Sequence, residues 1–352
     1  MKKLLLATAI AALSVSAANA APTVYGKAFI HADYVNSEVD YNDVLVSDND
    51  EDSVQINSTG SKIGLRGSEA LTANTDVIYQ LEYGINVDGD GNNNESDTFK
   101  SRDTYLGLDN KDYGQFRFGR NFSVIDNINN IYRTEGLFDN IGSSTLNENQ
   151  SMVGRILTMT DGDRINNSIV WLAPKYNGLP LEFALQYGAD ETFVSDNGDR
   201  DSGFGASLMF DQGTGFTAGV AYDKDMSING DIVRGTASVD LGKYMAYPVT
   251  LGALYQEADY DRNGSEKEKG LIVSAEMALS NFARPAVAYL QYDKTDNLGG
   301  VDNFDGDQIV IGGKYEYKSN MIAHAYAGVN SAERSDLDAD VFAIGGGLEY
   351  LF

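Results

Sequence analysis

The segment DVFAIGGGLEYLF, Asp340 to Phe352, alternates with period two and ends the chain on an aromatic residue. Phe342, Ile344, Leu348, Tyr350 and Phe352 share one parity, and Val341, Ala343, Gly345, Gly347, Glu349 and Leu351 share the other. Successive side chains of a strand point to opposite faces, so one face here is apolar and the other is small and partly polar. A strand between lipid and water has this pattern, and a sheet in lipid must close, because an open edge leaves backbone groups unpaired. The segment therefore reads as the last stave of a transmembrane β-barrel.

The other end supports a route to a membrane. Lys2 and Lys3 precede the apolar run Leu4 to Leu13 and then the small residues Ala18, Asn19 and Ala20, the layout of a secretory signal peptide over residues 1–20. The run is too short to span a bilayer as a helix, and no other stretch is long and apolar enough. Residues 21–352 are then expected to form one barrel domain.

Twenty-six Lys and Arg stand against 52 Asp and Glu, a formal net charge of −26, which argues against a nucleic-acid partner. The chain has no cysteine, so disulfide frameworks and thiolate metal sites are excluded. With 37 Gly, 21 Tyr, 15 Phe and a mean hydropathy of −0.30, it is too polar for a helical membrane protein and too aromatic for disorder.

Strand signals recur at a spacing of roughly twenty residues. In Thr75 to Val87, residues Val77, Tyr79, Leu81, Tyr83, Ile85 and Val87 oppose Gln80, Glu82, Gly84 and Asn86. In Asp307 to Tyr317, Ile309, Ile311, Tyr315 and Tyr317 oppose Gln308, Lys314 and Glu316. Alternation alone leaves open whether the apolar face points inward, as in a soluble sandwich, or outward. The connections favour outward. Short turns at 110–114, 176–180, 211–215, 280–284 and 318–320 alternate with acidic stretches at 36–52, 88–97, 190–201, 259–268, 294–306 and 331–338, as in barrels with tight periplasmic turns and long external loops. About seventeen runs resemble strands, but chain ends on one side of the membrane require an even number. Met152 to Thr160 is the run read as something else, within one long loop over residues 121–163. That leaves an all-β, antiparallel barrel of about sixteen strands, with the loop expected to fold into a water-filled lumen and narrow it.

Tyr25-Gly26-Lys27, Ser61-Lys62-Ile63-Gly64-Leu65-Arg66-Gly67, Tyr105-Leu106-Gly107-Leu108 and Gly114-Gln115-Phe116-Arg117-Phe118-Gly119-Arg120-Asn121 occur in an order that, with the terminal Phe, resembles the general diffusion porins of Gram-negative outer membranes across the mature chain. The resemblance implies a homotrimer of sixteen-stranded barrels, each with its third external loop turned into the lumen. It implies a constriction between loop carboxylates and a basic wall. Carried over by motif, the cations are Lys27, Lys62, Arg102 and Arg155, and the acids are Glu135 and Asp139. This loop departs from the family wording in lacking Pro-Glu-Phe and in carrying Arg133. Arg117 shares parity with Gln115 and should also face the lumen; Arg66 and Arg120 are further cations of these motifs. The implied partners are small hydrophilic solutes and ions, outer-membrane lipid and lipopolysaccharide, and no cofactor.

Other classes leave weaker traces. Calcium or magnesium could sit among Asp48, Asp50, Glu51 and Asp52, or among Asp88, Asp90 and Glu95, but neither run keeps the twelve-residue hand spacing. The acidic loops should enrich cations at the mouth and give mild cation preference. A hydrolytic barrel would need a histidine in a nucleophile motif, and His31 and His324 are in none. A sugar-specific channel would need an aromatic slide, for which the inner loop offers only Phe122, Tyr132 and Phe138. A surface protein whose loops bind a partner is the remaining alternative. Tyr83, Phe116, Tyr315, Tyr317, Tyr350 and Phe352 are expected in the interfacial girdles, and Trp171 fits either setting.

Overall fold

The computed structural model describes residues 21–41, 49–89, 99–139, 154–175, 178–194 and 200–352. The leader-like segment 1–20, Asp48, Asp90 and Glu95 lie outside the described residues. Among the described residues no helix is long and apolar enough to cross a membrane.

The chain rises and falls through β1 (Thr23–Tyr41), β2 (Asn49–Asn57), β3 (Lys62–Ala70), β4 (Thr75–Ile85), β5 (Phe99–Asn110), β6 (Gly114–Phe122), β7 (Arg164–Leu172) and β8 (Leu181–Val194). It continues through β9 (Arg200–Asp211), β10 (Phe216–Lys224), β11 (Gly230–Asp240), β12 (Val249–Tyr260) and β13 (Glu268–Ala278). It ends with β14 (Ala286–Asp296), β15 (Asp305–Lys318), β16 (Met321–Arg334) and β17 (Leu337–Leu351). From β3 onward each strand pairs antiparallel with the next, and β17 returns to β1 with Lys27 opposite Leu351 and Tyr41 opposite Leu337. The sheet is a closed barrel.

Seventeen segments make sixteen staves, because β2 and β3 are two halves of one. β2 pairs with the outer half of β1, with His31 opposite Asn57, and β3 with the inner half, with Lys27 opposite Lys62. Between them Gly60 takes a φ of +63°, and the Ser61 hydroxyl replaces a rung of the ladder, accepting from Phe29 N at 2.9 Å and donating to Phe29 O at 3.1 Å. A bulge of this kind adds backbone without adding a stave. The odd strand count is thus resolved at the second stave; residues 154–160, the described part of the run from Met152 to Thr160, are not strand either.

The apolar parity points outward. Leu81, Tyr83, Ile309, Ile311, Phe342, Ile344, Leu348, Tyr350 and Phe352 are all exposed, while Glu82, Gln308, Val310, Val341 and Ala343 are buried inside. That orientation excludes a soluble sandwich, whose apolar faces would meet one another. Phe352 completes the closure by exchanging backbone hydrogen bonds with Gly26, at 2.8 and 3.1 Å. A Cβ on Gly26 would fall 2.4 Å from the Phe352 ring, so only glycine allows the terminal ring to lie there. Aromatic pairs gather near the short turns: Tyr315 with Tyr317 and Phe282, and Tyr350 with Phe352. Trp171 belongs to the same belt, facing Phe116 and Phe183 and donating to Tyr113 O at 2.8 Å.

The acidic stretch 36–52 is less of a loop than its composition suggests, because β1 runs on to Tyr41 and β2 begins at Asn49, with Glu38 opposite Asp50. Val39 and Ser37 stay buried there, so alternation carries the ladder past the point where charge accumulates. The turn between β16 and β17 is likewise only Ser335 and Asp336.

Ile311 is 61% exposed in the middle of β15. Ile311→Arg should lower folding stability in bilayers by about 2–4 kcal/mol, the cost of a cation on the lipid face near the midplane. Urea-driven unfolding in liposomes measures it.

Candidate functional site

The segment between β6 and β7 leaves the sheet and packs against the inner wall. A 3-10 turn, Val124–Ile128, buries Val124, Ile125 and Ile128, and the last two join Met209, Ala221, Ile232 and Ala258 of β9 to β12. Ile131 packs with Leu254, Ile272 and Met159, and Phe138 with Val310, Tyr326, Tyr289 and Val341. The return, residues 154–163, runs back over the same half of the barrel, with Leu157 against Val39, Phe304 and Leu337.

This backbone is irregular, so its polar groups need partners outside itself. Side chains of the wall supply them in turn. Gln186 accepts from Val124 N at 2.9 Å, Thr236 donates to Ile128 O at 2.9 Å, and Ser274 donates to Ile131 O at 2.6 Å. Gln291 accepts from Arg133 N at 2.8 Å and the Tyr326 hydroxyl from Leu137 N at 3.2 Å. On the return, Ser37 accepts from Gly154 N, Glu268 from Thr160 N, and Gln256 donates to Thr160 O. Asn330 does both for Leu157, accepting from its N–H at 2.9 Å and donating to its carbonyl at 2.8 Å. Gly136 passes so close to the wall, at a φ of +66°, that a Cβ would fall 2.1 Å from the Tyr326 hydroxyl oxygen.

Because the segment covers the β8 to β17 side and the outer half of β1, the inner half of β1, the wall from β3 to β6 and Arg164 at the start of β7 are left facing open space. That wall is basic. Lys27, Lys62, Arg66, Arg102, Arg117, Arg120 and Arg164 project from it, and a cavity of about 470 Å³ is lined by Tyr25, Lys62, Arg66, Glu82, Arg102 and Arg164 with Phe122 at the end of β6 and Asp126 of the inner segment. Glu82 is the hub: Lys62 lies 3.1 Å from it, Arg102 donates at 2.8 Å and Tyr25 donates at 3.0 Å. Arg164 donates to Asp103 at 3.0 Å.

The residues singled out from the sequence do not form one cluster. Lys62 and Arg102 meet at Glu82. Lys27 stands apart, 3.8 Å from Glu349 and over the Phe29 ring. Arg117 faces Tyr105 and donates to Gln115 at 2.5 Å. Glu135 pairs at 2.6 Å with Lys314 of β15, a cation on the polar parity of that strand that belongs to none of the motifs. Asp139 lies beyond the second 3-10 turn, Gly136–Phe138, and Arg155 is half-buried on the return beside Ile156. Arg133 lies 3.8 Å from Glu276. The sequence motifs do not single out Glu82, Arg164 or Lys314, nor Arg234, which is fully buried, takes Gln256 as a partner and holds Asp161 at 2.7 Å. Parity marked Glu82 and Lys314 as inward; no local signal marks Arg234.

Neither histidine is placed for chemistry. His31 is buried between Asp33 at 2.6 Å, Thr59 at 2.9 Å and Tyr326 at 2.9 Å, and His324 lies 3.4 Å from Glu349. No group of three or more metal-ligating residues exists among the described residues.

Residues 7–337 match the family model of Gram-negative porins, and the chain belongs to that family: it is an outer-membrane channel for passive diffusion of small hydrophilic solutes, and not an enzyme. Relatives include outer membrane porin N of Escherichia coli, 28% identical over 96% of this chain and 94% of that protein, and outer membrane protein F of Serratia marcescens, 27% identical over the full length of both. The fold is shared with the anion-selective porin from Comamonas acidovorans, at a TM-score of 0.69 and 16% identity over 95% of this chain and 100% of that one. It is shared also with Salmonella typhi OmpF in complex with daunomycin, at a TM-score of 0.57 and 19% identity over 94% and 97%.

Asn330→Ala would strand both backbone groups of Leu157, at about 1–3 kcal/mol for each buried group left unpaired. Amide exchange at Leu157 should accelerate and open-channel current noise should rise. Asp139 is exposed to the bore but crowded by protein; that desolvation, and next the charge of Glu135, push its carboxyl up to about 6 despite Lys27 and Lys314. Below that pH the group is neutral. Cation preference should therefore fall as pH drops from 7.5 to 5, and reversal potentials of Asp139→Asn should change less over the same range.

Proposed function

We propose that the inner segment and the β1 to β7 wall form the filter of this channel, with solutes crossing between them through a transverse field. Asp126, Glu135 and Asp139 lie on the segment, while Lys62, Arg66, Arg102 and Arg164 lie on the wall. The observation that carries the reading is the cavity that these wall cations share with Asp126 and Phe122. Opposed charge in a narrow wet pore selects by size and sign without holding a solute long enough to stall it. Pairing is incomplete and local, so the field is not cancelled: Glu82 serves two cations, and Arg66 has no carboxylate partner among the described residues.

The acidic outer rim supplies the second element, a local excess of cations at the mouth that gives a mild cation preference to a pore whose wall is basic. The working unit is a homotrimer in outer-membrane lipid and lipopolysaccharide. No cofactor takes part; Asp50 and Asp52 lie opposite Glu38 and Asn36 on one face of the outer ladder and Glu51 on the other, all exposed, where solvated charge suffices to account for them.

Planar bilayers with the purified chain should show conductance steps in multiples of three. Replacing Lys62, Arg102 and Arg164 together by Gln should raise cation preference in a salt gradient. An unchanged reversal potential would place the filter elsewhere, and membranes that stay silent would remove the channel reading.

A further inference from the structure

Three guanidiniums on the bore-facing wall stand over aromatic rings: Arg66 over Tyr25 at 4.9 Å, Arg164 over Phe122 at 4.6 Å and Arg117 over Tyr105 at 4.9 Å. They differ in what else they touch. Arg164 is committed to Asp103. Among the described residues Arg66 has no carboxylate partner, and its side chain is exposed in the 470 Å³ cavity next to Gln80, its register neighbour on β4. The carboxylate that could have neutralised it, Glu82, is occupied by Lys62, Arg102 and Tyr25.

A guanidinium is planar, weakly hydrated and able to stack as well as to bind a carboxylate in a fork. With one face of Arg66 on Tyr25, its other face and its N–H groups remain for a passing solute. An aliphatic carboxylate gains only the charge contact there. An aromatic carboxylate gains the charge contact and a ring on the guanidinium face, so the two separate by the worth of a cation–π contact at an exposed site. Building on the channel reading above, we propose that Arg66, backed by Tyr25 and flanked by Gln80, is a transit station that favours aromatic monocarboxylates over saturated ones of the same size and charge. Arg117 over Tyr105, which also lacks a carboxylate partner among the described residues, is the next plate toward the short-turn side.

The test uses the full chain in planar bilayers with benzoate or cyclohexanecarboxylate added at neutral pH, where both are ionised. In the wild type, benzoate should produce current interruptions about threefold longer than cyclohexanecarboxylate, the ratio expected for an exposed cation–π contact. Arg66→Lys should keep interruptions by both anions but bring their durations together, and Arg66→Gln should shorten both. Equal durations in the wild type would overturn the station while leaving the channel intact, as would a benzoate preference that survives Arg66→Gln. A chain that forms no conducting pore at all would overturn the channel reading and the station with it.

Discussion

Backbone amides and carbonyls out of reach of water must be hydrogen-bonded by protein, and this requirement shapes the molecule twice. In the sheet it forces closure: β1 must find β17 along its outer reach, and the last residue is tied to Gly26 so that no edge faces hydrocarbon. Inside, it governs the segment between β6 and β7, which has no ladder of its own. There the wall answers group by group with Gln186, Thr236, Ser274, Gln291 and Asn330. The inward parity of an outer-membrane strand is usually described as polar because it meets water. In this chain much of it is polar because it meets backbone.

The same wall residues explain the division of the interior into a filled half and an open half. Wherever an inward side chain is small or a neutral hydrogen-bonding group, as at Gly219, Gly252 and Ser274, the segment comes close enough for Ile128 and Ile131 to pack. Where inward side chains are long and charged, from Lys62 through Arg102 to Arg164, it stays away. A guanidinium covered by irregular backbone would lose hydration without gaining a carboxylate, a large penalty in a low-dielectric setting. Arg234 and Lys314 are exceptions that show the rule, since the segment brings a carboxylate to each, Asp161 to the fully buried Arg234 and Glu135 to Lys314.

Much of the barrel was legible in the sequence and little of the charge pairing was. Period-two alternation in Thr75 to Val87, Asp307 to Tyr317 and the terminal segment depends on each strand alone, and lipid rewards it directly. The broken second stave was not legible, because Gly60 and Ser61 look like any turn until Phe29 is known to lie opposite. Motif order pointed to Lys62 and Arg102, and parity pointed inward for Glu82. That these three meet depends on the stagger between β3, β4 and β5, including the slip between Leu81 and Tyr83, which no local pattern encodes. Glu135 and Lys314 are separated by about half the chain, and only the path of the inner segment joins them.

A channel differs from a binding protein in that its attractive groups must be left partly spent. In the proposed filter, the arrangement around Glu82 would do this by stoichiometry: one carboxylate damps two cations and accepts from a phenol, so each would retain some pull on a passing anion without the depth of a free charge in a dry pocket. Aromatic backing does the same for Arg66 and Arg117, because a ring face weakens a cation less than a carboxylate does and leaves its N–H groups available. Across the bore the acids of the inner segment are graded in a similar way, with Glu135 held by Lys314 and Asp126 open to the cavity. In the proposed filter, ions of either sign would thus follow opposite sides of one opening, and the unspent charge at Glu82, Arg66 and Asp126 would keep their passage fast.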